Sequence, residues 1–203
     1  FDPCLLQLPP RENIIVGGYL QSYKYFDDVH HRIKKQLVFQ DNVSFQASVL
    51  LNNLLDGHSH PRNATALVGV HVRRGDMLWR KNTARGYTTA SRSYLFKAFQ
   101  WFVDALPDKA LLFVMVCEDA VWCEKYVGES SSVKMAPPAS AKVHLALLAS
   151  CDHMIMSTGT FGWWGAWLAG GKVVYYKNYP VKNSEIDKGF NKNDFFLPTW
   201  VGL

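Results

Sequence analysis

The sequence lacks the short motifs of the commonest nucleotide-binding and acyl-transfer enzymes. Neither GxGxxG nor GxxxxGK(S/T) occurs, so dinucleotide oxidoreduction and P-loop hydrolysis lose their main sequence support. The GxSxG turn, which presents a serine nucleophile in α/β-hydrolases, is also absent. The chain must therefore be classified by other patterns.

Metal-binding patterns are scarce as well. The cysteines form no CxxC pair, which argues against zinc, and their even number permits two disulfides without proving them. They are Cys4, Cys117, Cys123 and Cys151. Metal-assisted sugar transfer calls for two carboxylates spaced by one residue after a strand, and the only such spacing, Glu185 and Asp187, lies in a loop rich in lysine and asparagine. We therefore expect no metal site and no cofactor.

Long blocks of one charge and long apolar runs are missing too. The net charge of +5 comes from 22 Lys and Arg against 17 Asp and Glu spread along the chain, which indicates a local anion site and no nucleic-acid surface. The densest basic stretch, HHRIKK at 30–35, is interpreted as the solvated face of a helix. No apolar run is long enough to span a membrane and no secretory signal is present, so we expect an internal or C-terminal fragment.

The most informative segment that is present is VGVHVRRGD at 68–76, a continuously apolar strand followed by Arg73, Arg74, Gly75 and Asp76. Two guanidiniums delivered to one spot match the oxygens of a phosphate, and Gly75 allows a sharp turn where a ligand approaches. The alternative is a strand end that carries an ordinary surface ion pair.

The chain of 203 residues, 48% of them hydrophobic, can bury one sizeable core. From residue 67 onward, short apolar strands alternate with helix-like segments, which predicts an α/β fold with a doubly wound, mostly parallel sheet. The predicted strands are 67–72, 110–116, 132–136, 153–156 and 172–176. The predicted helices are one capped by Ser91 or Ser93 and ended before Pro107, then 120–127, 142–149 and 162–169. Earlier in the chain we predict a short strand at 14–16, an amphipathic helix at 23–39 and a linker at 58–62.

Ligands of an open parallel sheet bind beyond the carboxyl ends of its strands, close to helix N-termini that favour anions. Besides the arginine segment, this rule selects Glu118 and Asp119 after the second strand and STGTFG at 157–162 after the fourth. The hydroxyls and amides of STGTFG can hold a diphosphate, or they can form an ordinary helix cap. The two acids can accept hydrogen bonds from ribose or guanine, or can merely cap a helix through Trp122.

Two of these segments resemble the hallmark motifs of the α1,2-fucosyltransferases, which use GDP-fucose and act on β-galactosides. They are VGVHVRRGDML at 68–78 and LLASCDHMIMSTGTFGWWGAWLAGG at 147–171. GYLQSYKYF at 18–26, CEDAVWC at 117–123 and FLPTWVG at 196–202 are similar to further family segments. The resemblance covers most of the chain, with its segments in the family's order.

The resemblance implies a GT-B-like glycosyltransferase in which residues 66–203 are the Rossmann-like GDP-fucose-binding domain. Residues 1–65 would be the remnant of the N-terminal acceptor-side domain and a linker. It also implies a type II Golgi membrane protein whose anchor lies upstream and whose lumenal side can be N-glycosylated at Asn42 and Asn63. One position departs from the family pattern: His144 stands where the family commonly carries an acidic residue, a contact to guanine or an anchor on the helix face.

The implied reaction is an inverting, metal-independent transfer of L-fucose from GDP-fucose to the 2-hydroxyl of a terminal β-galactose. Arg73 and Arg74 would stabilise the departing diphosphate. Asp76 would orient the arginines, since nearby guanidiniums favour its ionised form and make it a poor base. His71 is either an alternative base or a satisfied core histidine. The expected donor-binding set is His71, Gly75, Glu118, Asp119, Ser157, Thr158, Gly159, Thr160 and Phe161.

Two alternatives stay open at this point. A fucosyltransferase with another acceptor, a protein or a core N-glycan, would use the same donor residues. A non-catalytic GDP-binding or glycan-binding module could instead use Trp163, Trp164 and Trp167, although their spacing most simply indicates core packing.

Overall fold

The computed structural model describes residues 1–9, 13–17, 20–56, 58–128 and 130–203. The strands in this part of the chain are β1 Thr65–Val72, β2 Ala110–Cys117, β3 Val133–Met135, β4 His153–Met156, β5 Val173–Tyr175 and β6 Val201–Gly202. They form one sheet in the order β3-β2-β1-β4-β5-β6, and each neighbouring pair is parallel. The predicted doubly wound parallel sheet is therefore confirmed, and its five predicted strands lie within two residues of the observed bounds.

The central strands are buried along their whole length. All eight residues of β1 are buried between β2 and β4, and so are the inner residues of β2. Because helices cover both faces of the sheet, side chains of both faces must be apolar. This explains why these strands appear in the sequence as continuous apolar runs instead of alternating patterns.

Nine α-helices accompany these strands in the described residues. They are α1 His30–Gln36, α2 Asp41–Leu55, α3 Arg80–Arg85, α4 Arg92–Ala105, α5 Ala120–Tyr126, α6 Ala141–Ala149, α7 Thr160–Ala169, α8 Glu185–Gly189 and α9 Lys192–Phe195. Short 3₁₀ helices lie at Pro3–Gln7, Tyr23–Tyr25, Asp27–Val29, Arg62–Ala64 and Gly75–Leu78. The predicted cap of α4 is confirmed at Ser91, whose Oγ accepts a hydrogen bond from the Tyr94 amide at 3.2 Å.

Helices on the two faces enclose two hydrophobic clusters. α2, α6 and α7 pack on one face, where Trp163 and Trp167 are 6% and 7% exposed. The core interpretation of these two tryptophans is therefore confirmed. α4 covers the other face with side chains that recur at helical spacing: Leu95, Ala98, Phe99 and Phe102.

The N-terminal predictions are only partly confirmed. Residues 14–16 form no strand, and Ile15 is 98% exposed, so this segment does not bury the apolar side chains that suggested a strand. The predicted helix at 23–39 is broken into two 3₁₀ turns and α1, because Phe26 adopts a non-helical backbone (φ −141°, ψ 13°). Its ring instead contacts Trp163, Trp164 and Trp167, with centroids 5.7 to 6.2 Å apart.

The start of the chain also contributes to the sheet's core. α2 packs against α6 and buries Val43 and Ala47 in the same cluster as the tryptophans of α7. The division into segments 1–65 and 66–203 stays a prediction. Gly18 and Tyr19, which open one of the family-like segments, lie outside the described residues. Among the helices that are described, none is long and apolar enough to cross a bilayer.

The sheet's strand order creates one special position. From β1 the chain winds outward to β2 and β3, and it then returns to place β4 on the other side of β1. The loops after β1 and β4 therefore separate toward opposite faces and leave a crevice at the carboxyl edge. Such switch points are where open α/β sheets bind ligands.

Candidate functional site at the carboxyl edge of the sheet

Arg73 joins the two loops that border the crevice. Its backbone amide donates to Oγ of the fully buried Ser157, at 2.8 Å, so the residue after β1 is fixed to the residue after β4. Its guanidinium donates through Nη2 to Oδ1 of Asp76 at 2.7 Å. Its Nε is buried and has no hydrogen-bond partner among the described residues. Arg73 therefore keeps donor capacity for a ligand.

The first turn of α7 lies beside this guanidinium. Gly159 precedes the helix with φ 87°, and a Cβ there would lie 3.3 Å from Cδ of Arg73. Glycine is therefore required both by the backbone conformation and by the close approach of Arg73. The N-cap residue of α7 is Gly159, which has no side chain to cap the helix, so the amides and dipole at this end favour an anion. The segment STGTFG thus supplies a glycine turn and an open helix end, not a Ser/Thr cap.

A cavity of about 570 Å³ opens in front of these groups. Its lining comprises Gln21, Arg73, Asp76, Met77, Arg85, Tyr87, Gly159, Thr160, Tyr179, Ile186, Phe190 and Phe195. Of the predicted site residues, the structure brings Arg73, Asp76, Gly159 and Thr160 to this cavity. A second cavity of about 480 Å³ lies at the other end of α7, between its C-terminal turn and α1, and none of the predicted residues lines it.

Arg74 has different surroundings. Its guanidinium lies 3.9 Å from the centre of the Trp122 ring, and its Nε donates to Oδ2 of Asp119 at 3.3 Å. Its Nη1 donates to Thr89 at 3.5 Å, and its side chain is only 12% exposed. The expectation that both guanidiniums converge on one spot is therefore not met in the structure. Arg74 instead connects the loop after β1 to α5.

Glu118 and Asp119 hold the same loop in place. Asp119 caps α5 by accepting from the Trp122 amide at 3.1 Å, as one of the two interpretations anticipated. Glu118 accepts from the Arg74 amide at 3.3 Å, and a Cβ on Gly75 would overlap its carboxylate. A disulfide between Cys117 and Cys123 closes this turn, while Cys4 and Cys151 are free.

His71 is 6% exposed and does not line the cavity. Burial, together with the charge of Arg73, lowers its pKa to about 4, so the ring is neutral at neutral pH. It packs against Phe161 at 5.2 Å between centroids and leaves too little room for a Cβ at Gly162. Its Nδ1, like Oγ1 of the buried Thr158, has no hydrogen-bond partner in the described chain. His71 therefore packs against the first turn of α7 and helps to fix its position.

The sequence predictions missed the far wall of the cavity, which comes from the segments around Tyr87 and Tyr179. The rule that ligands bind beyond the carboxyl ends of the strands could have selected Tyr179, since the loop after β5 also begins at that edge of the sheet. His144 lies elsewhere: its Nε2 contacts the carbonyl of Pro137 at 2.9 Å, which anchors α6 to the preceding loop.

Comparison with known proteins identifies the family of this chain. The model of glycosyl transferase family 11 matches residues 10–203. The chain belongs to glycosyl transferase family 11. This family 11 chain is 35% identical over 192 residues to galactoside alpha-(1,2)-fucosyltransferase 1 of Saimiri sciureus, covering 93% of the chain and 52% of that relative. It is 34% identical over 198 residues to galactoside alpha-(1,2)-fucosyltransferase 2 of Pongo pygmaeus, covering 96% of the chain and 56% of that relative. The resemblance drawn from the motifs is confirmed.

The family 11 chain thus spans about half the length of the curated relatives it matches. Among solved structures, it overlaps POFUT1 in complex with GDP with a TM-score of 0.49 at 13% identity, over 71% of this chain and 49% of that one. It overlaps NodZ alpha-1,6-fucosyltransferase soaked with GDP-fucose with a TM-score of 0.47 at 17% identity. The overlap covers 70% of this chain and 47% of that one. Overlaps of this size do not bear on the substrate of the family 11 chain.

Proposed function

We propose that this chain forms the donor-binding part of an inverting fucosyltransferase. The enzyme transfers L-fucose from GDP-fucose to the 2-hydroxyl of a terminal β-galactose and needs no metal ion. The names of the relatives support this reaction. The observation that carries the proposal is the position of Arg73 at the switch point, beside the start of α7. Its buried Nε has no hydrogen-bond partner in the part of the chain that the structure describes.

Arg73 stabilises the leaving group in this mechanism. Breaking the bond between fucose and phosphate moves negative charge onto the diphosphate while the sugar becomes cation-like. A guanidinium aimed at that charge binds the transition state more strongly than the ground state, which is the condition for accelerating the step. The open N-terminus of α7 adds amide donors for the same anion.

Asp76, Arg74 and His71 act as positioning residues in this proposal. The carboxylate of Asp76 accepts a hydrogen bond from Arg73 and fixes the guanidinium. Arg74 holds the loop through Trp122 and Asp119. His71 lies beneath α7, outside the cavity lining.

Several observations support a lumenal location on the Golgi membrane for the whole protein. Asn42 and Asn63 are both exposed, so their acceptor patterns are accessible to glycosylation. The disulfide between Cys117 and Cys123 suits an oxidising compartment. In our proposal the membrane anchor belongs to the part of the protein outside this chain.

The non-catalytic alternative is the less favoured one. A lectin-like surface would expose its tryptophans, whereas Trp163 and Trp167 are buried in the core. A fucosyltransferase with a protein or core N-glycan acceptor would share the donor residues, and only its product distinguishes it.

The test uses the full-length protein, GDP-fucose and a panel of β-galactosides, peptides and N-glycans, with linkage analysis of the product. We expect fucose in α linkage to the 2-hydroxyl of galactose. Arg73→Ala should lower kcat by about 100- to 1,000-fold, the usual effect of removing one donor to a developing oxyanion. Arg32→Ala, which removes an exposed arginine of α1, is the matched control and should transfer normally. Wild-type transfer by Arg73→Ala with normal GDP binding would refute the leaving-group role.

A further inference from the structure

We propose that Tyr179, Ile186 and Phe190 form an apolar wall that receives the C6 methyl group of the donor sugar. This wall makes the enzyme selective for a 6-deoxyhexose over the same sugar with a hydroxyl on C6. The inference rests on the proposed function and assigns a specificity role to side chains of the same cavity that do not bind the diphosphate.

The cavity has two chemically different sides. Arg73, Asp76 and the start of α7 form the polar side. Tyr179, Ile186 and Phe190 lie in the segment that follows β5 and contribute aromatic rings and an aliphatic side chain to the same cavity. A ligand that fills the cavity therefore meets both charged and apolar groups.

The apolar wall is built from packed rings. The centroid of Tyr179 lies 5.8 Å from that of Phe190 and 6.2 Å from that of Tyr87. Burial raises the pKa of Tyr179 to about 12, so its phenol is neutral at neutral pH. The wall thus presents no charge of its own toward the cavity.

Two contacts hold this wall against the segment after β1. The Val181 amide donates to the carbonyl of Gly86 at 2.9 Å. Arg85, at the end of α3, forms an ion pair with Glu185 at the start of α8, at 3.0 Å. Ser184 caps α8 by accepting from the Asp187 amide at 3.2 Å. The wall is therefore in place before the sugar arrives, which lowers the entropic cost of binding.

Donor chemistry brings the sugar to this wall. The anomeric carbon is bonded to the diphosphate, so a diphosphate beside Arg73 places the sugar ring within the same cavity. Gln21, Asp76 and Arg85 offer hydrogen-bond partners for ring hydroxyls. A methyl group gains free energy when it is buried against Ile186 and Phe190, whereas a hydroxyl there loses its water without a protein partner.

The experiment measures kcat/KM of the full-length enzyme with GDP-L-fucose and with GDP-L-galactose, which differ only by the hydroxyl on C6. We expect the wild type to prefer GDP-L-fucose by about 100-fold, the discrimination that an apolar pocket achieves against an added hydroxyl. Ile186→Ser should reduce the preference to about tenfold or less, since the serine hydroxyl can pair with the substrate hydroxyl. GDP should inhibit this variant as it inhibits the wild type.

Two further variants serve as controls. Val181→Ser introduces the same residue type just before α8, at an exposed position outside the cavity lining, and it should keep the full preference. Tyr179→Phe keeps the ring and should also keep the preference, because an apolar contact with the methyl group does not need the hydroxyl. Tyr179→Ala should lose it.

The outcomes separate this inference from the proposed function. A wild type that transfers fucose but uses both donors equally overturns the inference alone. So does an unchanged preference in both Ile186→Ser and Tyr179→Ala. A wild type that transfers neither L-fucose from GDP-L-fucose nor L-galactose from GDP-L-galactose refutes the proposed function itself, and the inference with it.

Discussion

The two edges of the sheet each carry an arginine paired with an aspartate, but the surroundings of the two pairs differ. At the amino edge, Arg62 donates to Asp152 at 2.9 Å and to the Thr65 carbonyl at 2.9 Å, and Asp152 also accepts from the Leu67 amide at 2.8 Å. At the carboxyl edge, Arg73 is bonded to Asp76 but keeps a buried Nε without a partner among the described residues.

The same contrast extends to the neighbouring groups. Of the four buried side-chain polar atoms without a partner in the described residues, three lie at the carboxyl edge: Nε of Arg73, Nδ1 of His71 and Oγ1 of Thr158. The fourth is Nε2 of His58, which lies before β1. Such atoms are costly in a folded protein, so their concentration at one edge indicates a region shaped for a ligand. The pair at the amino edge only stabilises the fold.

The largest effect that tests this contrast is expected from Gly159→Ala. The new Cβ would lie 3.3 Å from Cδ of Arg73 at a backbone with φ 87°, so it displaces the guanidinium. We expect fucose transfer to fall about 100-fold, because alanine avoids a backbone with φ 87°, ψ 162°, so the loop after β4 must shift together with the Arg73 side chain. The kcat of the full-length enzyme measures it.

Gly128→Ala is the matched control for this prediction. Gly128 also has positive φ, at 72°, but the nearest atom to its added Cβ is the Glu124 carbonyl oxygen at 3.8 Å. Gly128→Ala should lose about 1 kcal/mol of stability to backbone strain. Gly159→Ala should lose about 1 to 3 kcal/mol because its φ 87°, ψ 162° is a conformation that is essentially restricted to glycine, and only Gly159→Ala should lose activity. Equal activities in the two variants would mean that the loop after β4 does not position Arg73.

The next effect concerns stability and pH. The pKa of His71 is about 4 in the folded protein and 6.5 in the unfolded chain, so between these values the unfolded chain binds the extra proton. The free energy of unfolding therefore decreases as the pH falls from 6.5 toward 4, by about 2 kcal/mol between pH 7 and pH 5. Urea unfolding at the two pH values measures this loss.

His71→Asn should remove that pH dependence. His153, at the amino edge, also has a lowered pKa, mainly because of burial, but it is only partly buried, so His153→Asn should change the dependence much less. The same pH dependence in wild type and His71→Asn would show that another group is responsible.

A smaller effect on transfer is expected from exchanging the two aspartates for asparagine. Asp76→Asn weakens a charge-assisted bond to Arg73 and should lower kcat about tenfold with little change in melting temperature. Asp152→Asn should leave kcat unchanged and cost about 1 kcal/mol of stability, because its bonds hold the amino edge together. Thermal unfolding and initial rates measure the two effects. A loss of kcat in Asp152→Asn and a loss of stability in Asp76→Asn would contradict the assignment of the carboxyl edge to ligand binding and of the amino edge to stability.

The smallest effect on transfer is expected from Arg74→Ala. This side chain is bonded to Asp119 and stacked on Trp122, so its loss should destabilise the loop by about 1 kcal/mol. We expect kcat to fall only about three- to tenfold, through misplacement of the loop. Arg92→Ala, which removes another arginine stacked on a ring, Phe96 at 4.6 Å, is the control. A loss as large as that of Arg73→Ala would show that both arginines bind the leaving group.

Much of the sheet could be predicted because its central strands are buried on both faces. β1, β2 and β4 appear in the sequence as mostly apolar runs, and the spacing of Leu95, Ala98, Phe99 and Phe102 indicates α4 directly. The rule that ligands of a parallel sheet bind beyond the carboxyl ends of its strands then selected Arg73, Gly159 and Thr160 without any knowledge of contacts. These predictions depend only on local patterns and on the sheet being parallel.

The remaining features depend on contacts between distant parts of the chain. Phe26 interrupts a helical pattern because its ring packs on the tryptophans of α7, which no local pattern reveals. Arg73 and Arg74 are adjacent in sequence, and only the fold shows that their partners differ. α2 was missed even though Val43, Ala47 and Leu54 recur at helical spacing, since Gln40 provides no side-chain cap to mark its start.

The position of β4 between β1 and β5 also governs how the protein is made. A nascent chain that has emerged only as far as α6 already contains β1, β2 and β3, yet one edge of β1 still has no neighbour. That edge is apolar on both faces and is open to pairing with other chains until β4 is synthesised. Protection from aggregation and completion of the crevice therefore arrive together, when residues 153–157 dock.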